Sequence, residues 1–454
     1  MLKYSTIDKN EVVTGVTNPI KEKPLVEVVK EKLKTRNLFI TGGGGVGKSY
    51  LIGQLQKELP LVITSTTGIS AVNIEGQTIH SWAGIGIADK PIAKVVDFIL
   101  NDKRGKQKRR DIWAADYLVI DEISMLNSYT LDYINEVLKH VRQDNRPFGG
   151  IRVILVGDFF QLPPVHIGEE IEINRAKRLI NYAFNSQTWK ELDLETIQLT
   201  KVWRQTDKDF IDTLNNLRVG KITEKDIQLL ETRNHCFDVP EEAVKIFAVN
   251  YQVDAENERR FNALPGDAVT FNAINQIRCY VGGKSLMLNP SDKRVPIYDL
   301  QKYESFDKDC RIPNELKIKV GCRVMLLKNI DFDRCLVNGS CGYVKSFSSD
   351  CITVDFDNGE TYSVGREATE IKQGETVKIS REQFPLRLAY SVSVHKSQGQ
   401  TFDSCFIDCS NFFECGQGYV ALSRARTLDK LYLRNFNPAK IFVDDRIKEF
   451  YNTL

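Results

Sequence analysis

No window of the 454-residue chain approaches the roughly 18 consecutive apolar residues a membrane-spanning helix needs. The opening segment also lacks the apolar stretch of a secretory signal. The ten cysteines run from Cys236 to Cys415 without a single CxxC pair. The five histidines are scattered, none at zinc-ligand spacing from a cysteine. These absences argue against a disulfide framework or a zinc module, and for free thiols in a reducing, intracellular compartment. Net charge is missing too: 62 basic against 60 acidic residues leave +2, so a nucleic-acid site would have to be a local basic surface.

What is present is a globular composition, 42% apolar and 27% charged, on a chain too long for one core. After a polar segment, 1–34, that ends in a helix-like "PLVEVVKEKLK", short β-rich runs recur with helical segments between them. They are "NLFITG" (37–42), "LVITST" (61–66), "YLVIDE" (117–122) and "RVILVGD" (152–158), then "VKIFAVN" (244–250), "LAYSVSVH" (388–395), "CFIDCS" (405–410) and "KLYLRNF" (430–436). Alternation of this kind predicts α/β domains with parallel sheets. The region 316–385 differs: short strands and tight turns, with the hairpin signal Asn358-Gly359, predict a small antiparallel barrel inserted into the second α/β domain. A second insertion is expected at 78–112, ending in the basic run "KRGKQKRR" (103–110).

"GGGGVGKS" (42–49) matches GxxxxGK[ST] between a strand and an apolar-periodic helix, the context the phosphate-binding loop requires. Its amides, from Gly42, Gly43, Gly44, Gly45, Val46 and Gly47, would cradle phosphates at a helix N-terminus. Lys48 would reach the β- and γ-phosphates and Ser49 the magnesium ion. "YLVIDEIS" supplies Asp121 to hold that Mg²⁺ and Glu122 to polarise an attacking water. These motifs identify an NTPase without its task, and no guanine-specificity motif is visible, so ATP is the expected nucleotide. In "VGDFFQLPPV" (156–165), Asp158 and Gln161 should emerge at the same sheet edge. Pro163 and Pro164 would stiffen the exit, and a Gln161 so held could hydrogen-bond a γ-phosphate and lose that bond on hydrolysis.

In order, "TGGGGVGKS", "VIDEISML", "RQDNRPFGGIRVILVGDFFQLPPV", "LTKVWRQ", "LAYSVSVHKSQGQTF" and "GQGYVALSRAR" resemble the motif series of superfamily-one helicases. In detail the chain resembles the petite integration frequency (Pif-one) family of DNA helicases, relatives of RecD and Dda. The segment 124–150 looks like that family's signature, and the likeness runs from about residue 35 to 436. It implies two RecA-like domains, 35–190 and 191–315 with 386–454, a wedge insertion at about 85–112, and a Src-homology-like barrel at 316–385. It also implies that Gln161 senses the γ-phosphate, that Arg204 and Arg424 reach into the nucleotide cleft, and that Gly399 borders it. Guanidinium groups suit that charge. One departure stands out: the family carries a glutamine upstream of the loop that reads adenine, and the first 53 residues here contain none.

For single-stranded DNA, the resemblance singles out Thr66, Thr78, His80, Trp82, Asn250, His395, Lys396, Ser397 and Thr401. Small hydroxyls suit phosphate contacts, and Trp82 either stacks on the strand or packs in the core. The basic run 103–110 is a strand-separating element, a solvated loop or an import signal. The implied activity is an ATP- and Mg²⁺-dependent DNA helicase moving 5′→3′, a monomer, in replication, repair, recombination or telomere maintenance. Its compartment would be the cytoplasm of a prokaryote or virus-infected cell, or a eukaryotic nucleus or mitochondrion. An ATP-regulated binding protein and a motor subunit of a nuclease are the other classes open to this sequence.

Overall fold

The computed structural model describes residues 24–454 except 165–180 and short breaks at 68–69, 72–73, 75, 87, 236–237, 242, 283, 311, 329, 332–333, 335, 337–338 and 374–375. Most of the N-terminal segment, Val165, Cys236 and Cys335 therefore lie outside the described residues. Among the described residues no helix is long and apolar enough to cross a membrane. The described residues divide into two compact units, one of residues 251–391 and one of residues 24–250 with 392–454.

In the larger unit, β1 (Asn37–Thr41), β2 (Leu61–Ser65), β3 (Gln77–Thr78), β4 (Tyr117–Asp121), β5 (Arg152–Gly157) and β6 (Leu194–Gln198) form one sheet in the order β3-β2-β4-β5-β1-β6. Every pairing is parallel, so the C-terminal ends of β1, β4 and β5 open on one edge. These three strands are apolar nearly throughout because both sheet faces are covered. One face packs on Val29, Leu51 and Leu55, the other on Leu131, Ile134 and Leu138. A second sheet orders the strands Ser391–Ser393, Val244–Phe247, Cys405–Asp408 and Leu431–Arg434, around a core of its own.

The signature segment acts as a lock. Asn127 caps the helix Ser128–Arg142, accepting the Thr130 N–H at 2.7 Å, and apolar residues at 131, 134, 138 and 141 face the sheet. Beyond it Phe148 is buried at φ 54°, and its N–H donates to Asn135 Oδ1 at 2.7 Å. Gly149 must be glycine: a Cβ there would lie 2.7 Å from the Leu138 carbonyl oxygen, with φ at +62°. Arg142 then ties the turn to its neighbour, donating to Gly149 O (2.7 Å) and Ile112 O (2.7 Å).

The insertion expected at 78–112 is helical, with helices Ile92–Asn101 and Lys106–Ala114. Val95, Ile99 and Ile112 enter the same core as β4 and β5. The basic run is therefore mostly helix rather than loop. Lys108 spans to the preceding segment, its Nζ donating to Ser81 O at 2.5 Å.

The smaller unit holds the antiparallel strands expected within 316–385. A five-stranded sheet orders Thr361–Gly365, Cys351–Phe356, Cys341–Phe347, Arg323–Leu326 and Leu386–Leu388. Gly359 turns its hairpin at φ +90°. The unit is wider than expected because Ile274–Val281 pairs antiparallel with Thr376–Gln383. The residues 251–315, which sequence reasoning placed with the second α/β domain, fall in this unit, where Ile274–Val281 and Lys284–Leu288 belong to a four-stranded sheet with its own small core of Ile277, Leu288, Phe306 and Ile379.

Candidate nucleotide site

The loop 42–47 follows β1 directly and ends at the helix Lys48–Gln56. Lys48 Nζ donates to the carbonyls of Gly42 (2.6 Å) and Gly43 (2.9 Å), which holds the ammonium across the loop. Burial lowers its pKa, against the raising effect of Asp158, Glu122 and Asp121. Gly45, at φ +78°, leaves no room for a side chain: a Cβ would meet Arg204 Cβ at 2.4 Å. Ser49 is exposed at the start of the helix.

Asp121 and Glu122 stand at the end of β4, both buried. Burial, then the charge of Glu122, pushes the Asp121 carboxyl up to about 7; the Glu122 N–H, 2.9 Å away, and Lys48 pull the other way. A buried carboxylate disfavoured in this way fits a hard dication, which would supply the missing positive charge. Asp121 and the Ser49 hydroxyl are the residues that would hold magnesium, neutralising phosphate charge there. Glu122 sits in the left-handed region at φ 55°; Thr66 Oγ1 donates to its carbonyl at 2.9 Å, and Gln398 Nε2 donates to its carboxylate Oε2 at 2.9 Å.

At the end of β5, Asp158 is fully buried and accepts two hydrogen bonds from Arg218, from Nε at 2.9 Å and from a terminal nitrogen at 2.8 Å. Burial alone would raise the Asp158 pKa; the charge and hydrogen bonds of Arg218 outweigh it and hold the carboxyl below its ordinary value. Arg218 lies over the rings of Phe160 (4.7 Å) and Tyr451 (5.7 Å), which stack on one another at 4.6 Å. The Tyr451 hydroxyl is 2.6 Å from Thr41 Oγ1, accepts the Phe159 N–H at 3.2 Å and donates to Asp158 at 3.3 Å. Phe159 is pure core, its ring against Phe39, Phe184, Trp189 and Phe450. The two aromatics of "GDFFQ" thus serve different ends: one packs, the other braces an arginine. Gln161 is buried beside Asp158, its Nε2 at 3.5 Å from Oδ2, and Gly416 abuts its carbonyl so closely that a Cβ would stand 2.2 Å away.

Arg204 and Arg424 meet at the loop. A Cβ on Gly44 would lie 3.4 Å from a terminal nitrogen of each. Arg204 donates to Ser423 O at 2.9 Å; Arg424 donates to Val420 O (2.8 Å), Gln400 O (2.9 Å) and Ser423 Oγ (2.8 Å). Burial, and then the charge of Arg204, lowers the Arg424 pKa to about 9. Two cations held this close, in a buried place, suit a polyanion lying along the loop. Tyr419 completes the contact, its hydroxyl accepting the Gly44 N–H at 2.7 Å. Gly399, at φ +78°, forms the turn after Gln398.

The residues expected on DNA divide. Asn250 and Thr401 are exposed, and His395 is partly exposed with Nε2 3.0 Å from Glu414. Lys396 is partly exposed as well. Thr78 caps a short helix, accepting the Ser81 N–H, and His80, in that helix, has its pKa lowered by burial. Trp82 is 2% exposed in the core shared by β4 and β5, so packing and not stacking is its role. Ser397 is buried and its hydroxyl donates to Val394 O at 2.8 Å, so it supports its own turn rather than a ligand. Sequence reasoning missed Arg218, Gln398, Tyr419 and Tyr451. Only Gln398 and Tyr419 lay inside quoted motifs, where they could have been singled out.

Comparison with known proteins gives this geometry a relationship. The sequence model of the PIF1-like helicase family matches residues 22–228, and that of the DNA helicase Pif1 2B domain matches 303–347. The human ATP-dependent DNA helicase PIF1 is 36% identical over 449 residues, 96% of this chain; the chain spans 64% of that protein's length. The crystal structure of Pif1 helicase from Candida albicans superposes with a TM-score of 0.82 at 34% identity, over 96% of this chain and 99% of that one. Pif1 helicase from Bacteroides, in complex with ADP-AlF3 and single-stranded DNA, gives 0.75 at 29% identity, over 94% and 96%. With its parallel-sheet core and its phosphate loop matched along nearly the whole chain, this protein belongs to the PIF1-like helicase family.

Proposed function

We propose that the chain is an ATP-dependent DNA helicase that translocates 5′→3′ on single-stranded DNA and opens duplexes at forked or structured sites, inside the cell, in replication, repair, recombination or telomere maintenance. The observation that carries this reading is the convergence of Arg204 and Arg424 on Gly44. Both come from the part of the chain that follows the first sheet, so their hold on the phosphates ties the two sheets to the nucleotide. ATP would lie along 42–49 with its β- and γ-phosphates on the loop amides and Lys48. Glu122 takes the role of polarising the attacking water, while the two guanidinium groups meet the charge that develops on the transferred phosphoryl group. Hydrolysis removes part of that charge, and the arginine-bearing half is then released to move along the strand. The capture of a Bacteroides relative with ADP-AlF3 and single-stranded DNA together supports a site that serves both ligands.

The two parallel sheets serve in this reading as RecA-like motor domains in a single working chain. The helical region at about 85–112 is the wedge, and the five-stranded antiparallel sheet is the Src-homology-like module that covers the strand. Gln161 relays between phosphate and DNA: in Gln161→Ala, DNA-stimulated kcat should fall about a hundredfold, the usual loss for one preorganised donor. Stimulation equal to wild type in a phosphate-release assay would remove Gln161 from that role. The activity is tested by unwinding duplexes that carry only a 5′ or only a 3′ single-stranded tail, with and without ATP. Opening of the 5′-tailed duplex alone, and only with ATP, is expected. ATP hydrolysis without opening of either duplex would overturn the helicase reading, and opening from the 3′ tail would reverse the polarity.

A further inference from the structure

We propose that Gln398 is the positioning residue for the Glu122 carboxylate, and that its amide orients this carboxylate for water activation. The inference rests on the reading of Glu122 given above. Two observations carry it. The Gln398 amide nitrogen donates to Glu122 Oε2 at 2.9 Å, across 276 residues of sequence. Gln398 is 3% exposed, and its own Oε1 is a buried oxygen with no hydrogen-bond partner. A buried acceptor left without a partner is costly, and such groups concentrate where a site has a use for them.

The chemistry assigns the amide orientation. An ionised carboxylate only accepts, so the NH₂ end must face Glu122 and the oxygen must face away from that contact. Among the described residues, Gln398 supplies the hydrogen bond to the Glu122 carboxylate. The Thr66 hydroxyl holds the carbonyl, and the Glu122 N–H is engaged by Asp121. The carboxylate rotamer is thus set by Gln398 alone among these contacts. A carboxylate that must take a proton from water in one geometry gains from a neutral donor, which fixes it without neutralising it. Gln398 itself is well anchored for this. It follows the turn Val394–Ser397, whose last hydroxyl is bonded back to Val394, and Arg424 donates to the carbonyls of Ser397 and Gln400 on either side. The arginine at the phosphate loop therefore braces the turn that carries the glutamine on the catalytic carboxylate.

The test compares Gln398→Ala and Gln398→Glu in the full chain, with steady-state ATP hydrolysis, binding of a fluorescent ATP analogue and thermal melting. Removing the donor should lower kcat about a hundredfold, as loss of a supporting partner does, with and without single-stranded DNA. KM for ATP and analogue affinity should stay within about twofold, the mark of an interaction that acts only in the chemical step. Gln398→Glu keeps the volume but turns the donor into a second carboxylate against Glu122, so its kcat should fall at least as far. A kcat within about threefold of wild type in Gln398→Glu would overturn the proposal, and so would parallel loss of kcat and analogue affinity in both variants. Lys48→Ala run alongside separates the two readings: undiminished hydrolysis there would sink the ATPase assignment, whereas loss there with active Gln398 variants sinks this proposal alone.

Discussion

Lys48→Ala should abolish ATP hydrolysis, lowering kcat by about a thousandfold or more, because it removes a preorganised charge from the place where phosphate charge develops. The structure makes the loss specific. Lys48 Nζ is held by two loop carbonyls, at 2.6 and 2.9 Å, and so is already oriented across the loop. Burial lowers its pKa, which means that a nearby phosphate would be a better partner for its charge than the surroundings are. Alanine leaves Asp121 and Glu122 facing the phosphates with less positive charge between them. The two carbonyls it vacates belong to buried glycines, so some stability should go with them, and a melting curve recorded alongside separates that loss from the loss of turnover. Phosphate release at saturating ATP and single-stranded DNA measures the effect, and turnover at the wild-type rate would exclude this loop as the nucleotide site.

The parts of this site that were legible in the sequence are those whose chemistry is local. A strand, a glycine loop and a helix within twenty residues can only place Lys48 and Ser49 at one sheet edge, and β4 does the same for Asp121 and Glu122. Arg204 and Arg424 came from the resemblance, and the structure brings both to Gly44. What was not legible depends on contacts between distant segments. Tyr451 reaches Thr41 across 410 residues, and Gln398 reaches Glu122 across 276. Neither separation leaves a trace in periodicity. The same holds for the pairing of Ile274–Val281 with Thr376–Gln383, which enlarges the smaller unit beyond the hairpins visible in its turn residues. Trp82 was undecided for a different reason: its helix has only four residues, too few for a periodic pattern to say which face is inside. Of the paired phenylalanines, Phe160 does more than pack, and its partner, Arg218, lies on a helix that no motif covered.

Arg218→Ala should be among the most destabilising single changes in the larger unit, costing about 3–5 kcal/mol, because it strands the Asp158 carboxylate in a buried place. Asp158 is 0% exposed in its side chain and Arg218 11%, so water cannot replace the lost partner cheaply. What would remain is the Phe160 N–H at 3.2 Å, the Tyr451 hydroxyl at 3.3 Å and the Gln161 amide at 3.5 Å, all neutral donors and all long, with the Lys48 charge nearby. The sign of the pH dependence follows from the pair. Asp158 has its folded pKa lowered, so in the native protein it contributes stability above its unfolded value, and that stability is lost as pH falls through the folded one. In Arg218→Ala the largest lowering cause is gone and burial is opposed only by the Lys48 charge and neutral donors, so the folded pKa rises and the variant should regain stability, relative to wild type, as the pH is lowered from 7. Asp158→Asn in the Arg218→Ala background removes the stranded charge, and by the same reasoning should recover more than half of the loss at pH 7. Urea midpoints of the four proteins, at two pH values, make this a double-mutant cycle. Simple additivity of the two changes would mean that Arg218 stabilises through its contacts with Phe160 and Tyr451 and not through Asp158. The consequence for the site is direct: the Arg218 side chain runs beside Gly43, its Cδ 3.4 Å from where a Cβ would stand, so the pair that secures the end of β5 also walls the phosphate loop.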